Sequence, residues 1–356
     1  MIAQFPESPS HGTPPAMQVR QLQTSDVARW DSFVASCPEA TFFHRAGWRQ
    51  VLERAFGHDT YYLFAETDGR IEGILPLGHL RSRLFGNALV SVPFCVYGGV
   101  AATSDAARTA LNLAARELAE RLNVDYLEMR NLAPQHAVWM TKDLYVTFRK
   151  SLDPDPEKNY LAIPRKQRAM VRKGIEAGLQ GTLDENIDRF YDVYADSVRR
   201  LGTPVFSRKY FQALRDVFGQ DCEVLTITRN GHVVSSVMSF YFRDEVLPYY
   251  GGGTREAREV AGNDFMYWDL MRRACERGVR VFDYGRSKKG TGPYSFKKNW
   301  GFEPQPLHYE YLLVKAKTLP DVNPLNPKYH LFIETWKRLP LSVTKFLGPM
   351  ISRSLG

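Results

Sequence analysis

Hydrophobic and polar positions along this chain switch between a helical and an alternating period, and the switches mark out its elements. Over residues 27–37, Trp30, Phe33 and Val34 recur at helical spacing behind Asp26, a predicted N-cap. The aromatic run from Thr41 to Trp48 leads into a second helix over 48–56. Residues 61–66 and 70–80 are predicted to pair as a hairpin about Asp68-Gly69, and 90–93 and 97–100 read as short extended pieces. A helix over 106–122 places Leu111, Leu118 and Leu122 on one face, and 126–130 and 145–151 read as strands.

Asp153-Pro154-Asp155-Pro156 then breaks the pattern and predicts a boundary. Beyond it the order repeats. A helix capped by Asp184 runs to Leu201, and a second, capped by Ser207, covers 208–218. Residues 222–229 and 232–243 form a hairpin about Asn230-Gly231. A strand over 246–251, a helix over 263–278 and strands over 281–284 and 309–314 follow. Helix, helix, hairpin, strand, helix, strand, occurring twice, predicts two copies of one α/β unit built on mixed sheets. The predicted layout is a disordered leader at 1–16, units at 17–152 and 157–318, and an amphipathic tail at 319–356.

Composition narrows the class. The 356 residues carry 47 Lys+Arg and 39 Asp+Glu, a net charge of +8, and 44 % are hydrophobic, so wholesale disorder and collagen-like repeats are excluded. Cys37, Cys95, Cys222 and Cys275 show neither C-x-x-C pairing nor zinc-ligand spacing, so no metal site is predicted and the thiols are expected to be buried and reduced. No run of eighteen apolar residues occurs, and the proline-rich leader lacks the layout of a signal peptide. A cytoplasmic protein is the expectation, with any membrane contact on the inner face.

The richest segment begins where a strand ends at Asp283. It carries Gly285, Arg286, Ser287, Gly290 and Gly292, then Phe296-Lys297 and Trp300-Gly301. Glycines let backbone N–H groups approach an anion, Arg286 offers a fork for phosphate or carboxylate, and Lys297 beside Phe296 could meet a developing oxyanion in a dry setting. The alternative is a solvated basic loop. Asp283 could orient an amine or anchor that loop. No nucleophile elbow and no H-E-x-x-H occurs, so direct attack by a substrate amine fits better than a covalent acyl-enzyme.

The runs D-x-G-R-S (Asp283 to Ser287) and F-K-x-x-W-G (Phe296 to Gly301) resemble a signature of the FemAB family of GNAT-like acyltransferases. Tyr250-Gly251-Gly252-Gly253-Thr254, Gly262-Asn263 and the basic helix after Pro164 also fit it. The resemblance implies two tandem GNAT-like domains and acyl transfer onto an amine, without a tightly bound cofactor. The donor would be aminoacyl-tRNA or acyl-CoA, and the acceptor a phosphorylated glycan or peptidoglycan-type precursor. It also implies a transition-state role for Lys297, with Phe296 and Asp283 beside it, and substrate contacts from Arg286, Ser287, Arg168, Tyr250, Asn263 and Trp300. Two features depart from related enzymes. The stretch Arg258 to Asn263 has one glycine where acetyl-CoA enzymes have a Q/R-x-x-G-x-G/A turn, and no long helical arm associated with tRNA is present.

After Pro164, Arg165, Arg168 and Arg172 share one helix face, predicting either a phosphate-binding stripe or a solvated surface; no DNA-binding motif accompanies them. In the tail, Leu331, Phe332, Trp336 and Leu339 share a face beside Lys337 and Arg338, and Phe346, Leu347, Met350 and Ile351 follow. This segment is expected either to lie in a membrane interface or to pack across the first domain. Its Leu-Pro-Leu and Leu-Gly-Pro turns resemble the FemAB-related branch associated with exosortase and PEP-CTERM exopolysaccharide systems. The expected function is N-acyl transfer to a cell-envelope or exopolysaccharide precursor. The alternatives are CoA-dependent N-acetylation of an amino sugar and a non-catalytic binder of glycan precursors or lipid phosphates.

Overall fold

A computed structural model describes residues 16–82, 85–319 and 329–355. The leader expected at 1–16 lies, apart from Ala16, outside the described residues, as do 320–328 of the expected tail. The chain builds two mixed eight-stranded sheets. The first contains β1 (Gln18–Gln21), β2 (Asp59–Thr67), β3 (Arg70–Ser82), β4 (Gly86–Ser91), β5 (Ala101–Ala102), β6 (Tyr126–Asn131) and β7 (Met140–Lys142). The second contains β8 (Tyr145–Ser151), β9 (Gln180–Asp184), β10 (Cys222–Arg229), β11 (His232–Phe242), β12 (Glu245–Gly253), β13 (Val281–Asp283), β14 (Ser287–Lys288) and β15 (Pro304–Pro306). The last strand, β16 (His308–Leu313), returns to the first sheet.

The helices are α1 (Val27–Ser36), α2 (Gly47–Phe56), α3 (Asp105–Arg121), α4 (Pro156–Ala162), α5 (Arg165–Glu176), α6 (Asp188–Arg200) and α7 (Arg208–Phe218), then α8 (Glu256–Glu259), α9 (Gly262–Glu276), α10 (Gly292–Asn299), α11 (His330–Arg338) and α12 (Leu341–Ser352). Ser207 caps α7 by accepting from the Tyr210 N–H. Asp184 does not cap α6; it ends β9 and pairs with Arg189. Both predicted hairpins form, and Asp68-Gly69 and Asn230-Gly231 take positive φ at both positions, as a two-residue turn between twisted strands requires.

The two units exchange their closing strands. The crossover strand β6 is parallel to β4 on one side, and β13 is parallel to β12 on one side. Each has an antiparallel neighbour on its other edge. β6 receives it from β16 and β13 from β8, each supplied by the other half of the sequence. The strands at 145–151 and 308–313 therefore form where the sequence places them but sit in the opposite sheets. The exchange places residues 145–151 ahead of the Asp153–Pro156 break yet inside the second sheet.

The aromatic run of the first half seals the halves together. Phe42 stacks on Phe240 at 4.5 Å between ring centroids and meets Phe218 at 4.7 Å, while Phe56 meets Tyr210 at 4.9 Å. This cluster runs unbroken from Trp30 to Tyr250, so the apolar core spans both units.

Candidate active site

β12 and β13 pair in parallel over only two positions, Glu245 with Val281 and Val246 with Phe282. The strands then part: β12 continues along β11 to Gly253, while Asp283 turns to pair with Arg149 on β8. Asp283 is fully buried where they diverge. Its carboxylate accepts from the Tyr97 hydroxyl (2.8 Å), the Thr147 hydroxyl (3.2 Å) and the Gly285 N–H (2.7 Å). Tyr97 comes from the first half and Thr147 from the exchanged strand, so this anchor ties three regions of sequence to one side chain.

The loop after Asp283 is held from below by α10. That segment was expected as part of a loop; Pro293 at the first helical turn nucleates a short helix instead. The helix drives Lys297 inward, where Nζ donates to the carbonyls of Tyr284 (2.7 Å), Gly285 (3.0 Å) and Arg286 (3.1 Å). An ammonium has three N–H donors, and all three are engaged. Burial pushes the Lys297 ammonium down to about 7, with Asp283 opposing and Arg286 assisting. The three carbonyls favour its charged form. Phe296 packs beside it on Tyr267 and Trp300.

Arg286, so held, lies with its guanidinium carbon 4.7 Å from the Tyr145 ring centroid and 5.7 Å from that of Tyr309, and Nη1 donates to the Tyr309 hydroxyl (3.2 Å). Arg130 approaches Tyr309 as well, at 5.4 Å, and is buried with Nε on Glu128 (2.8 Å) and Nη1 on the Cys95 carbonyl (2.7 Å). Burial opposes the charge on Arg130, and the neighbouring Glu128 restores it, raising its pKa overall. Two cations thus share one aromatic ring at the seam. The loop between β4 and β5 supplies the carbonyls. Val92 and Phe94 take φ of 43° and 69°, uncommon for residues with a Cβ. That kink turns the Cys95 and Val96 carbonyls toward Arg130 and Tyr309.

Beside this seam a cavity of 130 Å³ opens against Tyr97, Gly98, Gly99, Arg130 and Asn131. His44 closes it, fully buried, with Nδ1 accepting the Thr41 N–H (3.1 Å) and Nε2 donating to the Gly99 carbonyl (2.9 Å). Burial pushes His44 down to about 4. The site therefore contains a neutral, fully partnered imidazole.

Other expected residues fall elsewhere. Trp300 is a core residue, its indole N–H on Asp264 (3.0 Å), and so lines no opening. Tyr250 is buried, sharing a hydrogen bond with Tyr210 (2.7 Å) within the second half. Ser287 is buried on β14, and its hydroxyl has no partner among the described residues. Asn263, in the first turn of α9, faces Gly253; its Oδ1 and the Thr254 hydroxyl are buried without partners among the described residues. Two orphaned polar atoms at the end of β12 fit a ligand with amide or hydroxyl groups lying along that strand. Arg165, Arg168 and Arg172 lie on α5, which packs on α9 through Gly174 and Phe265. Arg168 donates to the Leu161 carbonyl, while Arg165 and Arg172 are exposed and form no ion pair among the described residues.

Tyr97, Thr147, Arg130, Tyr145 and Tyr309 carry no motif that marks them as site residues in the sequence. One signal was available: Glu128 and Arg130, opposite charges two apart in an apolar strand, share a face and are expected to pair there.

Residues 163–298 match the family model described as an acetyltransferase (GNAT) domain. A solved structure described as FemX superposes at a TM-score of 0.66 over 89 % of this chain and all of its own, at 14 % identity. The fold is a tandem GNAT-like acyltransferase fold. A tandem GNAT protein of the clavulanic acid pathway superposes at 0.53, covering 85 % of this chain and all of its own at 15 % identity. The C-terminal domain of a protein described as a lysylphosphatidylglycerol synthetase from Agrobacterium fabrum reaches 0.56, covering 81 % of this chain and 91 % of its own at 14 % identity. No curated protein sequence matches the chain significantly. The parting of β12 and β13 lies inside the matched segment. GNAT enzymes take acyl-CoA as a co-substrate and hold no tightly bound cofactor. No cluster of three metal-ligating side chains occurs among the described residues, and no helix among them is long and apolar enough to cross a membrane.

Proposed function

We propose that this protein is an N-acyltransferase acting on the amine of a phosphorylated cell-envelope or exopolysaccharide precursor. The observation that carries the reading is the hydrogen bond from Tyr97 to Asp283, which joins the cavity of the first unit to the parted strands of the second. The donor's acyl arm lies along β12, where the Asn263 and Thr254 oxygens await partners. The acceptor enters beside Arg130 and Arg286, whose guanidinium groups suit a phosphate or carboxylate. The amine attacks the donor carbonyl carbon, the bond to the donor's sulfur or ester oxygen breaks, and the amine proton leaves with that atom. Lys297 and Asp283 hold the arginine-bearing loop in place, Phe296 keeps it dry, and Arg165, Arg168 and Arg172 extend the cationic surface. The D-x-G-R-S and F-K-x-x-W-G resemblance supports a glycan or peptidoglycan-type acceptor. The match to the acetyltransferase domain supports an acyl thioester as donor beside aminoacyl-tRNA.

The test is transfer of labelled acyl groups from acyl-CoA and, separately, from aminoacyl-tRNA to nucleotide-linked amino sugars, nucleotide-linked peptides and their lipid-linked forms. An amide product from one donor is expected. Acceptor binding without product from either donor would replace the enzyme with a precursor-binding protein.

A further inference from the structure

The last helix is packed inside out. α12 buries Thr344, Gly348 and Ser352, at positions i, i+4 and i+8, and these small or polar residues form its inner face. A Cβ on Gly348 would come within 2.9 Å of the Val205 backbone, and the Ser352 hydroxyl donates to the Val205 carbonyl (3.2 Å). Arg199 on α6 donates to the Lys337 and Leu339 carbonyls, and the Arg353 guanidinium reaches the Phe56 carbonyl of the first unit. α11 and α12 are thus fastened to both halves. α11 buries Trp336 and sets Ile333 against Gly202, but six other apolar side chains of the pair face outward: Leu331 is 77 % exposed, Phe346 68 % and Met350 58 %, with Phe332, Val343 and Leu347 exposed as well. A helix that serves only the core turns its apolar stripe inward. Nearly half of the exposed large apolar side chains among the described residues lie in this one segment, so they form a patch and not the scatter of an ordinary surface.

We propose that α11 and α12 dock flat on an anionic lipid bilayer. α12 has 12 residues and is roughly 18 Å long at 1.5 Å per residue, too short for a hydrocarbon core of about 30 Å, so it lies in the interface. Residues 329–355 carry Lys337, Arg338, Lys345 and Arg353 against the single carboxylate Glu334; Lys337 pairs with Glu334 and Lys345 with Asp192 of α6, which leaves Arg338 and Arg353 without an ion pair among the described residues. This excess charge attracts anionic headgroups. In a symmetric dimer through the same face, it would confront its own copy and repel it. Surface and charge therefore select lipid over a second copy. The inference stands apart from the proposed chemistry.

The test is flotation of the full chain with phosphatidylcholine vesicles, with and without phosphatidylglycerol. The protein should float with the anionic vesicles and much less with neutral ones. Phe346→Glu with Met350→Glu should lower bound protein at least tenfold at an unchanged melting temperature, because both positions are exposed. Leu113→Glu, an equally exposed leucine on α3, should change nothing. As a second measurement, Met350→Cys carrying an environment-sensitive dye should shift to the blue on anionic vesicles; the four native cysteines are buried. Absence of flotation with either vesicle, or unchanged flotation of the double variant, would overturn the proposal. A concentration-dependent dimer that Phe346→Glu dissociates would also overturn it, assigning the face to a second copy. Acyl transfer to a soluble acceptor, measured in parallel, should be the same for both variants.

Discussion

Replacing Lys297 with Met separates two roles that the sequence alone confounds. If the ammonium stabilises charge in the transition state, its removal slows chemistry and leaves the fold intact. The structure commits all three N–H donors to the carbonyls of Tyr284, Gly285 and Arg286, so removal should first damage the loop. Leaving three buried carbonyls unpaired costs ~1–3 kcal/mol each, and removing a buried charge returns several kcal/mol of desolvation. The three carbonyls together cost about 3–9 kcal/mol, so a net loss of up to about 6 kcal/mol in unfolding free energy remains after that return. Freed of its staple, the loop releases Arg286 from Tyr145 and Tyr309, and a displacement of roughly 1 Å can cost 10²-fold in rate. Urea unfolding and steady-state kinetics, run on the same preparations of wild type, Lys297→Met and Lys298→Met, make the comparison. Lys298 is exposed at the next position, so its variant should match wild type in both. A Lys297→Met variant that unfolds like wild type while kcat falls by about 10²–10³ with KM unchanged, the pattern of a lost oxyanion donor, would refute the structural role. Lys297 would then have to leave its carbonyls when substrate binds.

Asp283→Asn should destabilise by about 3–5 kcal/mol in urea unfolding, because the new NH2 must face either the Tyr97 hydroxyl or the Thr147 hydroxyl and Gly285 N–H, and the nearby Arg149 and Lys297 lose a buried counter-charge; a loss under about 1 kcal/mol would mean that Asp283 does not anchor the loop. His44 is held neutral with its pKa lowered from 6.5 to about 4, so the unfolded chain binds the extra proton first. Its contribution is complete above pH 6.5 and declines by about 3 kcal/mol as pH falls to 4, and His44→Gln should flatten that part of the stability profile. Arg286→Lys keeps the charge but loses the stack on Tyr145 and Tyr309, and should raise acceptor KM about tenfold with a smaller effect on kcat; an unchanged KM would move the acceptor away from this side chain.

Local order was legible in the sequence and long-range pairing was not. Asp68-Gly69 and Asn230-Gly231 dictated their hairpins because a two-residue turn needs positive φ, which few other residues supply. Ser207 announced α7 for a similarly local reason. The strand at 145–151 was marked by its apolar residues, yet alternation reports that a strand is half-buried and says nothing of which edge it joins. The signature segment misled in a different way. Its glycines and lysines read as an open loop, but Pro293 starts α10 and turns Lys297 inward, and Trp300 serves Asp264 in the core. Aromatic and cationic side chains in a motif can line a site or support one; only their partners decide, and those partners came from Tyr284 to Arg286 and from α9.

The strand exchange explains why the candidate site is composite. Had each unit closed on its own strand, β13 would present Asp283 to residues of the second half alone. With β8 from the first half of the sequence as its neighbour, Asp283 meets Thr147, and it accepts from Tyr97 of the first unit as well. With β16 returned to the first sheet, Tyr309 arrives from the far end of the chain between Arg130 and Arg286. The seam is therefore built from positions near 97, 130, 147, 283, 286 and 309, and no shorter segment contains its charges and its aromatic ring together. Nor can the units hinge freely about a linker. Any opening at the seam has to break hydrogen bonds of β8 or β16, in the middle of a sheet, or part the Phe42–Phe240 stack. A change confined to the loop that Lys297 holds would leave those sheet bonds and that stack intact.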